Sequence, residues 1–267
     1  MDFSQQVVVV TGAGNGIGLG IAQAFAENKA SVVVAEINEN SGRRAVEELQ
    51  AAGGQAFFAQ VDVADEPQVE RMVQAVLDQY GRIDVLVNNA GVVAHRLLTE
   101  LDREEWDRQL AVQLTGPFLV SKHVARHMIA RGGQGKIVNI SSVSAVMGRV
   151  KGGSHCVSKG GLTMLTKVLA MELGQYQINV NAVAPGLIDV PAQRNEDNLS
   201  SEYQNRYLKE VPLERMGKPE DIAQMVMFLC SPEANWISGQ LFLVDGGLMA
   251  GHLSFQGVHD FAMLYGH

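Results

Sequence analysis

Four consecutive β-branched residues, Val7 to Val10, break off at Thr11-Gly-Ala-Gly-Asn-Gly-Ile-Gly18, and residues 17–25 then carry apolar side chains at helical spacing. A short apolar run bounded by glycine reads as a strand buried on both faces, as in a parallel sheet. The same succession recurs. Residues 31–35 form a second β-branched strand, 40–52 a helix ended by Gly53-Gly54, and 55–61 a third strand. Pro67 sits where a helix can begin, and Val69, Met72, Val73, Val76 and Leu77 make one apolar stripe leading to Gly81. Strand 83–88, one long helix over about 103–130, strand 136–140 and a helix over about 154–173 follow. Strand 178–183 then ends at Pro185-Gly186. A polar, proline-containing stretch from 187 to 219 precedes helix 220–229 and a last strand, 240–244. Seven strands alternating with six helices predict an α/β, doubly wound parallel sheet with right-handed crossovers and helices on both faces.

Composition narrows the classes of partner. The chain has 267 residues, 46% of them apolar, which suits one α/β domain over residues 1–250 followed by a C-terminal extension, 251–267. A formal charge of −8 argues against nucleic acid, whose binders present a basic face. Cys156 and Cys230 are the two cysteines and lie far apart in sequence, so no disulfide framework is expected and a reducing cytoplasm is the default. The first residues lack a basic leader, and no apolar run approaches the roughly 18 residues of a membrane span. The expectation is a soluble, cytoplasmic protein with no membrane partner and no metal.

The glycine-rich turn is the first candidate site. Gly12, Gly16 and Gly18 let backbone N–H groups come close to a pyrophosphate at the positive end of the following helix, with Asn15 and Ile17 between them. Strand 31–35 ends at Glu36, 18 residues beyond Gly18. An acidic residue near that spacing accepts hydrogen bonds from the adenosine ribose and repels a 2′-phosphate. NAD is therefore expected rather than NADP, with Arg43 and Arg44 too far along the helix to hold a phosphate. A glycine turn also marks any tight strand-to-helix connection, and Glu36 could merely open the next helix. Together they fit a Rossmann-type unit.

Further motifs follow in order: Asp62-Val63, Asn88-Asn-Ala-Gly91, Ser142, Ser158-Lys159, Pro185-Gly186 and Asp245-Gly-Gly247. With the first loop, they make the chain resemble the short-chain dehydrogenase/reductases over roughly residues 5–250. The resemblance implies that the first loop holds the pyrophosphate, that Asp62 and Val63 meet the adenine, and that Asn89, Ala90 and Gly91 shape the nucleotide cleft. It counts Pro185, Gly186 and Ile188 among the cofactor-binding residues. It also implies a homotetramer or homodimer built partly on the long helices.

Three positions depart from that family. Its catalytic helix reads Tyr-x-x-x-Lys, whereas here His155 stands four residues before Lys159, with Ser142 13 residues before His155. Gln113 stands where the family has an active-site Asn, and Val190 where a Thr bonds the nicotinamide carboxamide. The resemblance thus implies a site of Ser142, His155, Lys159 and Gln113, with Lys159 also bonding the nicotinamide ribose. Residues i and i+4 share a helix face, so Lys159 can sit beside the imidazole. Imidazole titrates near 6.5, and a neighbouring ammonium keeps it neutral and able to accept a proton. Its Nε2 falls about 2 Å short of a tyrosine hydroxyl, so a water must bridge or the substrate must sit deeper.

The expected activity is interconversion of a secondary alcohol and its carbonyl with NAD. Two other readings stay open: NAD binding without hydride transfer, and non-redox acid/base chemistry through His155. His95, Arg96, Arg149 and Lys151 suggest a polar or cationic pocket mouth suited to a polyol, sugar or acid, with Val143 and Met147 as an apolar wall. Residues 187–212, with Arg194, Tyr203, Arg206 and Tyr207, occupy the family's lid position. The tail after Asp245-Gly-Gly247 carries His252, Phe255, His259, Phe261, Tyr265 and His267, and is expected to dock on a cleft or a neighbouring subunit.

Overall fold

The computed structural model describes residues 1–92, 94–190 and 201–251. Its strands are β1 (Val7–Thr11), β2 (Ser31–Glu36), β3 (Gln55–Gln60), β4 (Val85–Asn88), β5 (Gly135–Ile140), β6 (Ile178–Pro185) and β7 (Leu241–Val244). All pair in parallel in one sheet ordered β3-β2-β1-β4-β5-β6-β7, with Val8 opposite both Val32 and Val85. This is the doubly wound arrangement that the alternation predicts.

The unbroken valine run of β1 is explained by burial on both faces. Val8 and Val10 join Ile21 and Phe25 of α1 (Gly16–Glu27), Leu49 of α2 (Glu39–Ala51), and Ile222 and Val226 of α8 (Pro219–Cys230). Val7 and Val9 join Val69 and Val76 of α3 (Glu66–Tyr80) and Val124 and Met128 of α5 (Gly116–Ala130), where α6 (Gly153–Leu173) also packs through Leu169. Each such side chain taken from water contributes on the order of 1.5–3 kcal/mol. Helix ends are set locally. Asp65 accepts from the Gln68 N–H at the start of α3, and Gly81, at φ 72°, ends it in a left-handed turn that any side chain would strain.

Two expectations are corrected. The single helix over 103–130 is divided into α4 (Arg103–Leu110) and α5 by a π turn, Ala111–Thr115, in which the Gly116 N–H reaches back five residues to the Ala111 carbonyl. Pro117 has no N–H to offer the Gln113 carbonyl, so regular α bonding cannot run through this point. The stretch 187–219 is not wholly irregular, since it contains α7 (Ser201–Leu208). Among the described residues no helix is long and apolar enough to cross a membrane. The lid residue Arg194 and the tail from His252 to His267 lie outside the described residues.

Candidate active site

Strands β1 and β4 are neighbours whose chains leave in opposite directions, which opens a crevice beyond their carboxyl ends. The glycine loop after β1 and the Asn88–Gly91 turn after β4 line it. Asn89 clamps the two together, donating through Nδ2 to the Thr11 and Gly12 carbonyls at 2.9 and 3.0 Å. Thr11 Oγ1 accepts the backbone N–H groups of Asn89 and Ala90. Gly12 and Gly16 take φ values of 64° and 57°. Asn15 caps α1 in position only: its side chain makes no capping bond, and the first turn holds no acidic residue. The first N–H groups of α1 are thus left facing the crevice for an anion. Gly18 has a different reason to be glycine from the one expected. A Cβ there would lie 2.2 Å from the Gly12 carbonyl oxygen, so Gly18 lets the helix pack on the loop rather than opening space for a ligand.

Glu36 is buried at the end of β2, with one carboxylate oxygen accepting the Gly14 N–H and the other the Asn38 N–H, both at 3.1 Å. Each oxygen keeps a lone pair for a further donor. Arg43 pairs with Glu39 at 2.8 Å and stacks over Phe58, while Arg44 pairs with Glu48, so both cations are engaged along α2. Asp62 accepts the Ala64 N–H through its side chain. The Val63 side chain is buried against Gly116 in the core, which leaves only its backbone to the cleft. Ile188 is likewise buried in the core beside α1 and α8, and Val190 packs against Gly16. Leu187, next to Pro185 and Gly186, donates its N–H to the Tyr207 hydroxyl at 2.7 Å.

Across the sheet, α6 brings His155 and Lys159 together one turn apart. Lys159 is 5% exposed, and its Nζ donates to the Ile140 carbonyl at the end of β5 at 2.7 Å. Ser142 follows two residues later and accepts the Ser144 N–H through Oγ, so its own proton is free for another acceptor. Burial lowers Lys159 to about 8. Burial first, then Lys159, Arg149 and His95, push His155 down to about 3, further than the ammonium alone suggests. The imidazole is neutral, as expected, but it is a weaker base than a free one. Gln113 meets this group from the π turn, with Oε1 3.1 Å from His155 Nδ1 and 2.7 Å from Ser158 Oγ.

A family model described as enoyl-(acyl carrier protein) reductase matches residues 12–249. The chain belongs to the short-chain dehydrogenase/reductase family. An uncharacterised oxidoreductase of Thermotoga maritima is 42% identical over 246 residues, covering 91% of this chain and 95% of the relative. A 3-oxoacyl-(acyl-carrier-protein) reductase of Chlamydia pneumoniae is 39% identical, over 90% and 96%. A solved structure from Agrobacterium tumefaciens, provisionally assigned as a gluconate dehydrogenase, superposes with a TM-score of 0.89 at 31% identity, covering 94% of this chain and 98% of that one. The protein is accordingly an oxidoreductase of this family.

The polar or cationic pocket mouth expected of this short-chain dehydrogenase/reductase carries charges that are partly paired. Arg96 pairs with Glu105 of α4 at 2.8 Å and so offers little net charge. Arg149 lies 3.3 Å from His95 Nδ1, which joins the loop after β4 to the one after β5. Val143 is buried, and Met147 is exposed. Sequence reasoning missed Gly14, where a Cβ would lie 2.9 Å from Glu36, and Ile37, an exposed apolar residue just beyond the Glu36 carboxylate. It had Ser158 only as part of the Ser158-Lys159 motif and missed its contact with Gln113. The signal for Ile37 was available in its apolar character at a polar strand end; the other two depend on contacts across the chain.

Proposed function

We propose that this protein is an NAD-dependent oxidoreductase that interconverts a secondary alcohol of the polyol, sugar or hydroxy acid class and its carbonyl. The observation that carries the reading is the buried Lys159, tethered to the end of β5 two residues before Ser142 and one helical turn from His155. The cleft fits a dinucleotide: the first turn of α1 lacks a side-chain cap, and Glu36 has acceptor capacity left for ribose hydroxyls. A 2′-phosphate would meet the Glu36 charge with Arg43 and Arg44 turned to other partners. When bound, NAD supplies the hydride acceptor. Ser142 donates a hydrogen bond to the substrate oxygen, neutral His155 accepts the hydroxyl hydrogen bond and passes the proton released on oxidation to solvent, and Lys159 holds positive charge near the imidazole.

Calorimetric titration with NADH and NADPH tests the cofactor. NADH is expected to bind more tightly, and Glu36→Ser to weaken it about 10–100-fold through lost charge-assisted bonds. Tighter NADPH binding overturns the assignment. A turnover panel of polyols, sugars and hydroxy acids tests the substrate class, with a 3-oxoacyl thioester included because of the Chlamydia relative's name. We further read the exposed apolar residues Phe118 of α5 and Met164, Val168 and Met171 of α6 as a self-association face, giving a homodimer or homotetramer. A monomeric mass by light scattering refutes that.

A further inference from the structure

Gln113 is 1% exposed at the middle of the π turn, and its amide links three parts of the cleft. Its Nε2 donates to the Val92 carbonyl in the loop after β4. A carbonyl oxygen can only accept, so the amide nitrogen must face Val92 and Oε1 must face α6. There Oε1 meets Ser158 Oγ and His155 Nδ1. Oε1 has no hydrogen to give, so His155 Nδ1 must donate to it, and the single Ser158 hydroxyl hydrogen, also within reach of the His155 carbonyl at 3.0 Å, has Oε1 as its nearer acceptor at 2.7 Å. Nδ1 therefore carries the ring proton, and the other nitrogen of a neutral imidazole is bare. The charged and titratable groups acting on the ring are Lys159 on α6, Arg149 after β5 and His95 after β4, and all three disfavour the imidazolium.

We propose that Gln113 is a positioning residue that holds His155 in its Nδ1–H tautomer, so that Nε2 accepts a hydrogen bond from the substrate hydroxyl. The identity of that hydroxyl rests on the oxidoreductase reading above; the tautomer does not. An amide at this position orients the ring without adding the negative charge that would stabilise an imidazolium. A carboxylate in its place would do both, as in sites where an acid supports a histidine base. The π turn matters because it sets where Gln113 points, and Pro117, which cannot donate to the Gln113 carbonyl, lies four residues beyond it.

The test is long-range proton–nitrogen NMR on the full chain labelled with 15N-histidine, His155 being assigned by the signals lost in His155→Asn. Between pH 8 and 5 the ring is expected to stay neutral, with Nδ1 protonated and Nε2 bare. Gln113→Leu removes the acceptor and is expected to admit the Nε2–H form. Gln113→Glu is expected to keep the tautomer and to raise the His155 titration by about 1–3 pH units, with the pH profile of turnover moving alongside. A wild-type ring protonated on Nε2, or a tautomer unchanged in Gln113→Leu, overturns the proposal. If the leucine variant does not fold, an unchanged titration in Gln113→Glu overturns it instead. The NMR readings need no turnover: the predicted tautomer in a protein without NAD-linked activity would sink the functional reading and leave the hold of Gln113 on the His155 tautomer standing.

Discussion

Lowering the pH from 7 to 5 puts a proton on His155 in the unfolded chain and leaves the folded ring bare. Burial first, and then the Lys159, Arg149 and His95 charges, hold the folded imidazole down to about 3 against an ordinary 6.5. With a depressed folded value, the unfolded chain binds more protons below pH 6.5. The contribution of neutral His155 is therefore complete above that pH and is lost as pH falls toward 3. One proton is worth about 1.4 kcal/mol per pH unit, so about 2 kcal/mol disappears between pH 7 and 5. Partial exposure of the ring to the cleft makes that an upper value. The assay is urea unfolding of the wild type and His155→Asn at both pH values and one protein concentration. His127, which burial also lowers, and the carboxylates titrate in both proteins and cancel in the difference. The wild type is expected to lose up to about 2 kcal/mol more than the variant. Equal losses would refute the reasoning, because they would mean that His155 titrates alike in both states.

Lys159 gives a second pH window. Its folded value of about 8 lies below the ordinary 10.5, so the stability it takes from the fold by being buried returns as pH rises between those values, at about 1.4 kcal/mol per unit. Lys159→Met should abolish that rise, measured by denaturation at about pH 8 and 10, the span in which the proton is lost. Gly18→Ala would place a methyl 2.2 Å from the Gly12 carbonyl oxygen, a backbone atom that cannot swing aside, and against the Asn89 amide that clamps the loop. A loss of about 1–3 kcal/mol, together with lost dinucleotide binding, is expected, and a variant that melts like the wild type argues against the packing role.

The sheet was legible because its cause is local and repeated. A strand buried on both faces must be apolar at every position, so Val7–Val10 declares itself without reference to anything distant. The positions of the candidate site residues were legible for a related reason: glycines, an acid at a strand end and a Lys on a helix are each readable in their own segment. What the sequence left hidden depends on partners far along the chain. Gly18 read as a ligand glycine because nothing nearby reveals that the Gly12 carbonyl fills the space its side chain would need. Arg96 read as one of the polar or cationic residues of the pocket mouth until Glu105 was placed against it, and the Val63 side chain as part of the cleft until Gly116 was.

His155 shows most clearly where one-dimensional reasoning stops. Spacing gives its neighbour Lys159, and from that pair alone the ring is neutral and ready to accept a proton. Arg149, His95 and the burial of the ring come from other segments, and they act in the same direction, which weakens the base as well as neutralising it. The Gln113 amide, reached only through a π turn that apolar periodicity does not reveal, then decides which nitrogen is bare. A weak base in a fixed tautomer suits accepting the hydroxyl hydrogen bond and passing the proton on better than retaining it. Chemistry at this site therefore depends on how the charge of Lys159 and the hydroxyl of Ser142 share the work with the imidazole, and a carboxylate at position 113 is the smallest change that would shift that balance toward the ring.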